Sequence, residues 1–191
     1  MKHRLLEAKY DTTWSRFKNG DSKALESLYR TYIQSLLNYG LKITEDDNLV
    51  KDCIQDLFVE LWKSRQNIAD TTDPKFYLFR ALRNKLSRTL SQQSFVSEVE
   101  MQLAADSLTT GYIELEIIAK EHELYNHHNL QQLLDKLPRR QHEVIYLRFY
   151  HNFPYETIAA LMNMNYQSML NLMQRALKTL RKGYSPITPQ Q

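Results

Sequence analysis

The chain has 191 residues, with 25 Lys and Arg against 22 Asp and Glu, a formal net charge of +3, one cysteine, four glycines and five prolines. That length admits one large domain or two small ones, the lone cysteine excludes an internal disulfide, and so small a charge excess does not by itself mark a nucleic-acid binder. The opening MKHRLLEAKYDTTW lacks the apolar run of a secretory signal or membrane span, which predicts a cytoplasmic protein with no membrane contact of its own. Apolar residues recur at helical rather than alternating spacing, so the fold class expected is all-α.

The first strong element opens at Asp21, a good N-cap, and carries Leu25, Leu28, Tyr29, Tyr32, Ile33, Leu36 and Leu37 on one face until Gly40 stops it. A second helix follows the acidic cluster Glu45, Asp46, Asp47 and repeats Leu49, Val50, Cys53, Ile54, Leu57, Phe58, Leu61 and Trp62. Cys53 lies inside that apolar stripe, so it reads as a small buried hydrophobe. Asp73-Pro74 pairs an N-cap with proline at the first helical position and launches a third helix, with Phe76, Phe79, Leu82, Leu86 and Leu90 facing the core.

From Ser91 to Gly111 the sequence is polar and acidic and loses sustained periodicity, as a flexible connector would. A helical approach segment is expected over Glu114 to Leu124, and Leu130, Leu133, Leu134 and Leu137 begin a second lobe. Pro138 suits a helix start; the helix it opens presents Val144, Ile145, Leu147, Phe149 and Tyr150 before Asn152-Phe153-Pro154 interrupts it. A short helix from Tyr155 through Met162, a turn at Asn163-Met164-Asn165 and a long helix from Tyr166 to Lys182, ended by Gly183, make a helix-turn-helix. The expected architecture is therefore two small helical domains joined by a flexible acidic linker, over 1–90, 91–125 and 126–185, with a tail over 186–191.

Charge is segregated along this plan. Ser91 to His128 holds Glu98, Glu100, Asp106, Glu114, Glu116, Glu121 and Glu123 against Lys120 alone, so the basic excess belongs to the two lobes. On the third helix, Lys75, Phe76, Tyr77, Arg80, Arg83, Asn84, Lys85 and Arg88 mix cations with aromatic rings, the residue types that hold phosphates and stack unpaired bases. A solvated polar face is the alternative, and some of these rings belong to the core on either account. On the last helix, Tyr166, Gln167, Ser168, Asn171 and Gln174 offer hydrogen-bonding tips near the N-terminal end. Arg175, Lys178, Arg181 and, from a preceding helix, Arg148 add charge for the DNA backbone. A non-binding helical hairpin could imitate this pattern, and Met164, Met169, Leu170, Leu172 and Met173 make the helix unusually apolar; deeper burial or contact with a partner surface or thymine methyls would absorb them.

Taken in order, the segments resemble the bacterial RNA polymerase sigma factors of the extracytoplasmic-function subfamily over nearly the whole length. KNGDSKALESLYRTYIQSLLNY is similar to the first helix of that family's second domain, VKDCIQDLFVELWKSRQNI to its polymerase-clamp helix, and DPKFYLFRALRNKLSRTL to its promoter-melting segment. LPRRQHEVIYLRFYHNFPYETIAALMNMNYQSMLNLMQRALKTLRK is similar to its fourth domain. The resemblance implies an alternative sigma factor that binds core RNA polymerase through Asp52, Gln55, Asp56 and Glu60. It implies that the third helix and the loop before it, from Arg65 to Tyr77, recognise and open the minus-ten element, with Lys75, Phe76, Tyr77, Arg80, Arg83, Asn84, Lys85 and Arg88 holding the opened strand. It also implies that the last helix reads minus-thirty-five promoter DNA and that an anti-sigma factor is a further partner. Departures from the family pattern are Leu170 and Leu172, where relatives carry cations, and Asn163, where they often carry glycine.

No histidine and cysteine spacing supplies a metal-ligand set, and no phosphate-cradling glycine loop, nucleophile elbow or paired-carboxylate site is present, so neither a cofactor nor an enzymatic activity is expected. The alternative is a helix-turn-helix regulator with an N-terminal dimerisation or sensing module; a partner-binding scaffold is a third reading. A regulator binds a palindrome by itself as a dimer, a scaffold ignores DNA, and a sigma factor needs core polymerase.

Overall fold

The computed structural model describes residues 12–100 and 130–183, with side chains described for 12–92 and 130–183. Among the described residues all regular structure is helical, and the chain divides into two compact units, 1–105 and 106–191.

A helix that the sequence pattern did not mark precedes the one opening at Asp21. Helix α1 (Thr12–Lys18) buries Trp14 and Phe17 completely. Asp21 N donates to Arg16 O at 3.1 Å and Gly20 N to Phe17 O at 2.9 Å, with Gly20 at φ 89°, which is the Schellman ending that glycine adopts without steric cost. Asp21 then caps α2 (Ser22–Gly40), accepting from Lys23 N at 2.9 Å and Ala24 N at 3.3 Å. Its carboxylate also receives Arg16 at 2.7 Å, and that bond, which outweighs the effect of desolvation, leads the causes that lower its pKa.

Helix α3 (Asp47–Ser64) is capped by Asp46, whose Oδ1 accepts from Leu49 N at 2.9 Å, and buries Val50, Cys53, Ile54, Leu57, Phe58 and Leu61. Gly40 does end α2, but not as a left-handed cap: a Cβ there would stand 2.4 Å from Val50 Cγ1, so the missing side chain lets α2 meet α3. Helix α4 (Pro74–Glu100) starts as its Asp-Pro signal requires, with Asp73 Oδ1 accepting from Phe76 N at 2.9 Å. Leu78, Phe79, Leu82 and Leu86 are fully buried, and Phe79 stacks on Tyr39 at 4.9 Å.

Helix α4 continues ten residues past Leu90, into the stretch read from sequence as connector. Ser91 to Glu100 contains no glycine or proline, and a helix already nucleated propagates without an apolar stripe. The remaining connector, the approach segment over 114–124 and the tail over 186–191 lie outside the described residues.

In the second unit, helical residues 130–135 lead to α5 (Arg139–Ile145), which widens into a π-helical turn at Tyr146–Tyr150. Then come α6 (Tyr155–Leu161) and α7 (Tyr166–Gly183), with α5 and α6 both packed on α7. Val144, Leu147, Ile158, Leu161, Met162, Met169, Met173 and Ala176 form the core, which settles Met169 and Met173 as buried packing. The wider turn leaves Phe149 and Tyr150 on the surface, 57% and 56% exposed. Gly183 is again a contact glycine, since a Cβ would stand 2.3 Å from Leu133 Cδ2.

Candidate nucleic-acid interface

Helix α4 sorts its sequence-predicted residues by position around the axis. Arg80, Asn84 and Arg88, each one turn apart, are exposed along a single line. Arg83 and Phe76 flank that line half-buried, and the Arg80 guanidinium lies 5.9 Å from the Phe76 ring, the outer limit of a cation–π contact.

Three neighbours depart from the expected cationic, ring-bearing surface. Tyr77 packs edge-on against Trp14 at 5.0 Å, and burial raises its phenol pKa; α1, which the sequence pattern did not reveal, covers it. Lys75 is half-buried, and desolvation lowers its ammonium pKa despite the charge of Asp73. Lys85 turns to the other flank, where Nζ meets Glu60 Oε1 at 2.8 Å and Asp56 Oδ2 at 3.6 Å with its side chain only 19% exposed. Burial disfavours its charge, yet the Glu60 hydrogen bond and the two carboxylates outweigh burial and raise its pKa.

Lys85 thus joins two surfaces that the sequence reading keeps apart. Asp52, Gln55, Asp56 and Glu60 all stand exposed on one face of α3, and two of them hold the α4 lysine. Behind that face Cys53 is buried, with desolvation raising its thiol pKa against a hydrogen bond from Thr89. Beside the face runs an open apolar groove of about 660 Å³ between α2 and α3, lined among others by Leu25, Tyr29, Ile33, Phe58, Val59 and Trp62. Tyr29 and Val59 are 43% and 44% exposed. The apolar stripe of α2 is legible in sequence; that half of it faces outward is a matter of packing.

In the second unit the turn between α6 and α7 places Asn163 at φ 52°, the left-handed conformation expected of it. Asn165 Oδ1 accepts from Ser168 N at 2.7 Å and so caps α7. Gln167, Ser168, Asn171, Gln174, Arg175, Lys178 and Arg181 are all exposed, and Tyr166 is 44% exposed at the start of the helix. Gln167 Nε2 donates to Asn171 Oδ1 at 3.2 Å, which aligns two amides one turn apart. Leu170 and Leu172 are half-buried.

Arg148 does not join this array as a free cation. Its Nη1 donates to Phe153 O at 3.1 Å and its guanidinium lies over the Tyr155 ring at 4.7 Å, bracing the π turn against the start of α6. The sequence carries its charge but not its local partners.

Residues 28–96 match the family model for Sigma-70 region 2, and residues 127–180 match Sigma-70 region 4. RNA polymerase sigma factor YlaC of Bacillus subtilis (strain 168) is 26% identical over 173 residues, covering 87% of this chain and 94% of that protein. Among solved structures, the sigma factor RpoE from Bartonella quintana, crystallised with the anti-sigma factor NepR, is similar with a TM-score of 0.65 and 17% identity, over 84% of this chain and 96% of that one. CnrH, in complex with the cytosolic domain of CnrY, is similar with a TM-score of 0.57 and 18% identity, over 89% and 93%.

Proposed function

The chain belongs to the sigma-70 family, with region 2 and region 4 in the order of the extracytoplasmic-function group, and from that premise we propose how its surfaces divide the work of an alternative sigma factor. It binds core RNA polymerase and directs promoter-specific initiation; it positions another enzyme's chemistry and performs none itself.

We assign core binding to the α3 face of Asp52, Gln55, Asp56 and Glu60 together with the adjoining apolar groove. An acidic rim beside an apolar trough suits a basic amphipathic partner helix, with charge setting orientation and apolar burial supplying affinity. The minus-ten strand goes to α4, with Arg80, Arg83, Asn84 and Arg88 on the backbone and Phe76 as the base-stacking ring. Lys75, Tyr77 and Lys85 support that surface from within the unit.

The minus-thirty-five duplex goes to α7, where Gln167, Ser168, Asn171 and Gln174 lie toward the N-terminal end and Arg175, Lys178 and Arg181 farther along. The observation that carries this reading is the exposed polar face of α7 behind an Asn165 cap, directly after a short helix and tight turn. We place the protein in the cytoplasm; among the described residues no helix is long and apolar enough to cross a membrane. An anti-sigma factor completes the proposed partners, since two similar structures are complexes with NepR and with the cytosolic domain of CnrY.

Run-off transcription with purified core enzyme and fragments of the source genome tests the function. Discrete transcripts are expected only when the chain is added. A folded protein that starts none at any site, or that binds a palindrome alone as a dimer, defeats the reading.

A further inference from the structure

Between the α1–α2 turn and the residues that follow α3 lies a polar concavity of about 340 Å³, lined by Lys18, Asn19, Gly20, Arg65 and Gln66. Among the described residues no acidic side chain lines it. Arg65 is fixed in its wall: Nη1 donates to Trp62 O at 2.7 Å and the guanidinium lies 4.3 Å from the Trp62 ring. Its Nε is nevertheless enclosed with no acceptor among the described residues. An enclosed donor on a charged group is costly to leave unpaired, so an orphan of this kind points to a missing acceptor.

The surroundings favour an anion as that acceptor. Lys18 Nζ meets Asp70 Oδ1 at 2.6 Å, so of the two cations at the concavity one is balanced by a carboxylate and the other is not. Asn19 and Gln66, both exposed, add amide donors. Gly20 sits at φ 89°, and a Cβ there would stand 3.8 Å from Arg65 Nε, across the edge of the guanidinium that lacks a partner. A planar guanidinium fork beside an ammonium and two amides matches a tetrahedral oxyanion.

Helix α1, whose end supplies part of the wall, also contacts the beginning of α4. Trp14 Nε1 donates to Ala69 O at 3.3 Å and its ring meets Tyr77, while Lys18 holds Asp70, so α1 is joined to both the segment after α3 and the first turn of α4. We propose that this concavity binds a phosphate group, in the working complex a backbone phosphate of the strand that α4 holds. The assignment of the phosphate to a strand rests on the α4 reading above.

The test uses the full chain and its Arg65→Gln, Arg65→Lys and Arg80→Gln variants, each checked for folding by circular dichroism. Binding of a labelled single-stranded oligonucleotide is followed by anisotropy across a salt series. Arg65→Gln is expected to weaken binding roughly fivefold near about 0.1 M salt and to lower the slope of log affinity against log salt by about 0.7, the value for one phosphate on a single strand. Arg65→Lys restores the slope. In parallel, inorganic phosphate is expected to raise the melting temperature of the unsubstituted chain above that in chloride of equal ionic strength, and to lose this effect in Arg65→Gln.

Phosphate protection with an unchanged oligonucleotide slope supports the pocket and assigns it to a free phosphate compound instead of a strand. Identical slopes and identical phosphate responses in the unsubstituted chain and Arg65→Gln overturn it. A slope lowered by Arg80→Gln but not by Arg65→Gln removes the strand phosphate while leaving the α4 reading intact. The reverse pattern removes the α4 reading and keeps the pocket.

Discussion

Gly40 and Val50 set the tightest constraint at the scale of single residues. Helix propensity alone would have Gly40→Ala gain up to about 1 kcal/mol. Val50 is completely buried and β-branched, so its methyl cannot swing away from a new Cβ placed 2.4 Å from it. Overpacking therefore decides the sign: Gly40→Ala is expected to destabilise by about 1–3 kcal/mol in urea titration, and adding Val50→Ala should return part of the loss. Asp21 supplies a test by pH. Its folded pKa lies below the ordinary 3.8, so its contribution is present at neutral pH and lost as pH falls through 3.8 toward the folded value. The stability difference between the unsubstituted chain and Asp21→Asn should be constant above about pH 5 and shrink on acidification. Both residues were legible in the sequence as boundary signals. Asp21 acts as such a signal, whereas Gly40 turns out to permit a helix contact, because a glycine that ends a helix and one that admits a neighbour look alike in one dimension.

Helices α4 and α7 each carry a polar face, but their tertiary neighbours treat the two faces differently. On α7 the exposed amides and cations are those the helical period predicts, since its other side alone meets the core. Lys178→Ala is expected to weaken duplex binding alike on all sequences and to lower the salt slope by about 0.9, whereas Asn171→Ala should cost about 1–3 kcal/mol at particular base pairs and relax preference there. Arg148→Ala should instead lower stability, by roughly 1–3 kcal/mol, with the salt slope unchanged, because its guanidinium braces the π turn. On α4 the period identified the core side, Phe79, Leu82 and Leu86, and the exposed line of Arg80 and Arg88. It could not reveal that α1 covers Tyr77 or that α3 captures Lys85, since each depends on an element distant in sequence.

For the whole molecule, each unit builds a core from its own residues, Leu36, Leu57, Phe79 and Leu82 in one and Leu147, Ile158, Leu161 and Met173 in the other. Calorimetry is expected to resolve two transitions. Gly40→Ala should lower only one of them, and Met173→Ala, at about 2–5 kcal/mol for a buried methionine, only the other. The amino-acid pattern was enough to fix the all-α class, the order of the helices after α1, their caps at Asp21 and Asp73, the helix-turn-helix and the exposed polar faces of α3 and α7. These follow from period and local hydrogen bonding, which act over a few residues. Tertiary packing was needed to show that α1 joins the core, that two glycines serve contacts, that Lys85 and Arg148 are held internally, and that Arg65 lines a polar concavity. Each of those outcomes depends on which distant side chain arrives at a given point in space, and helical periodicity carries no information about that.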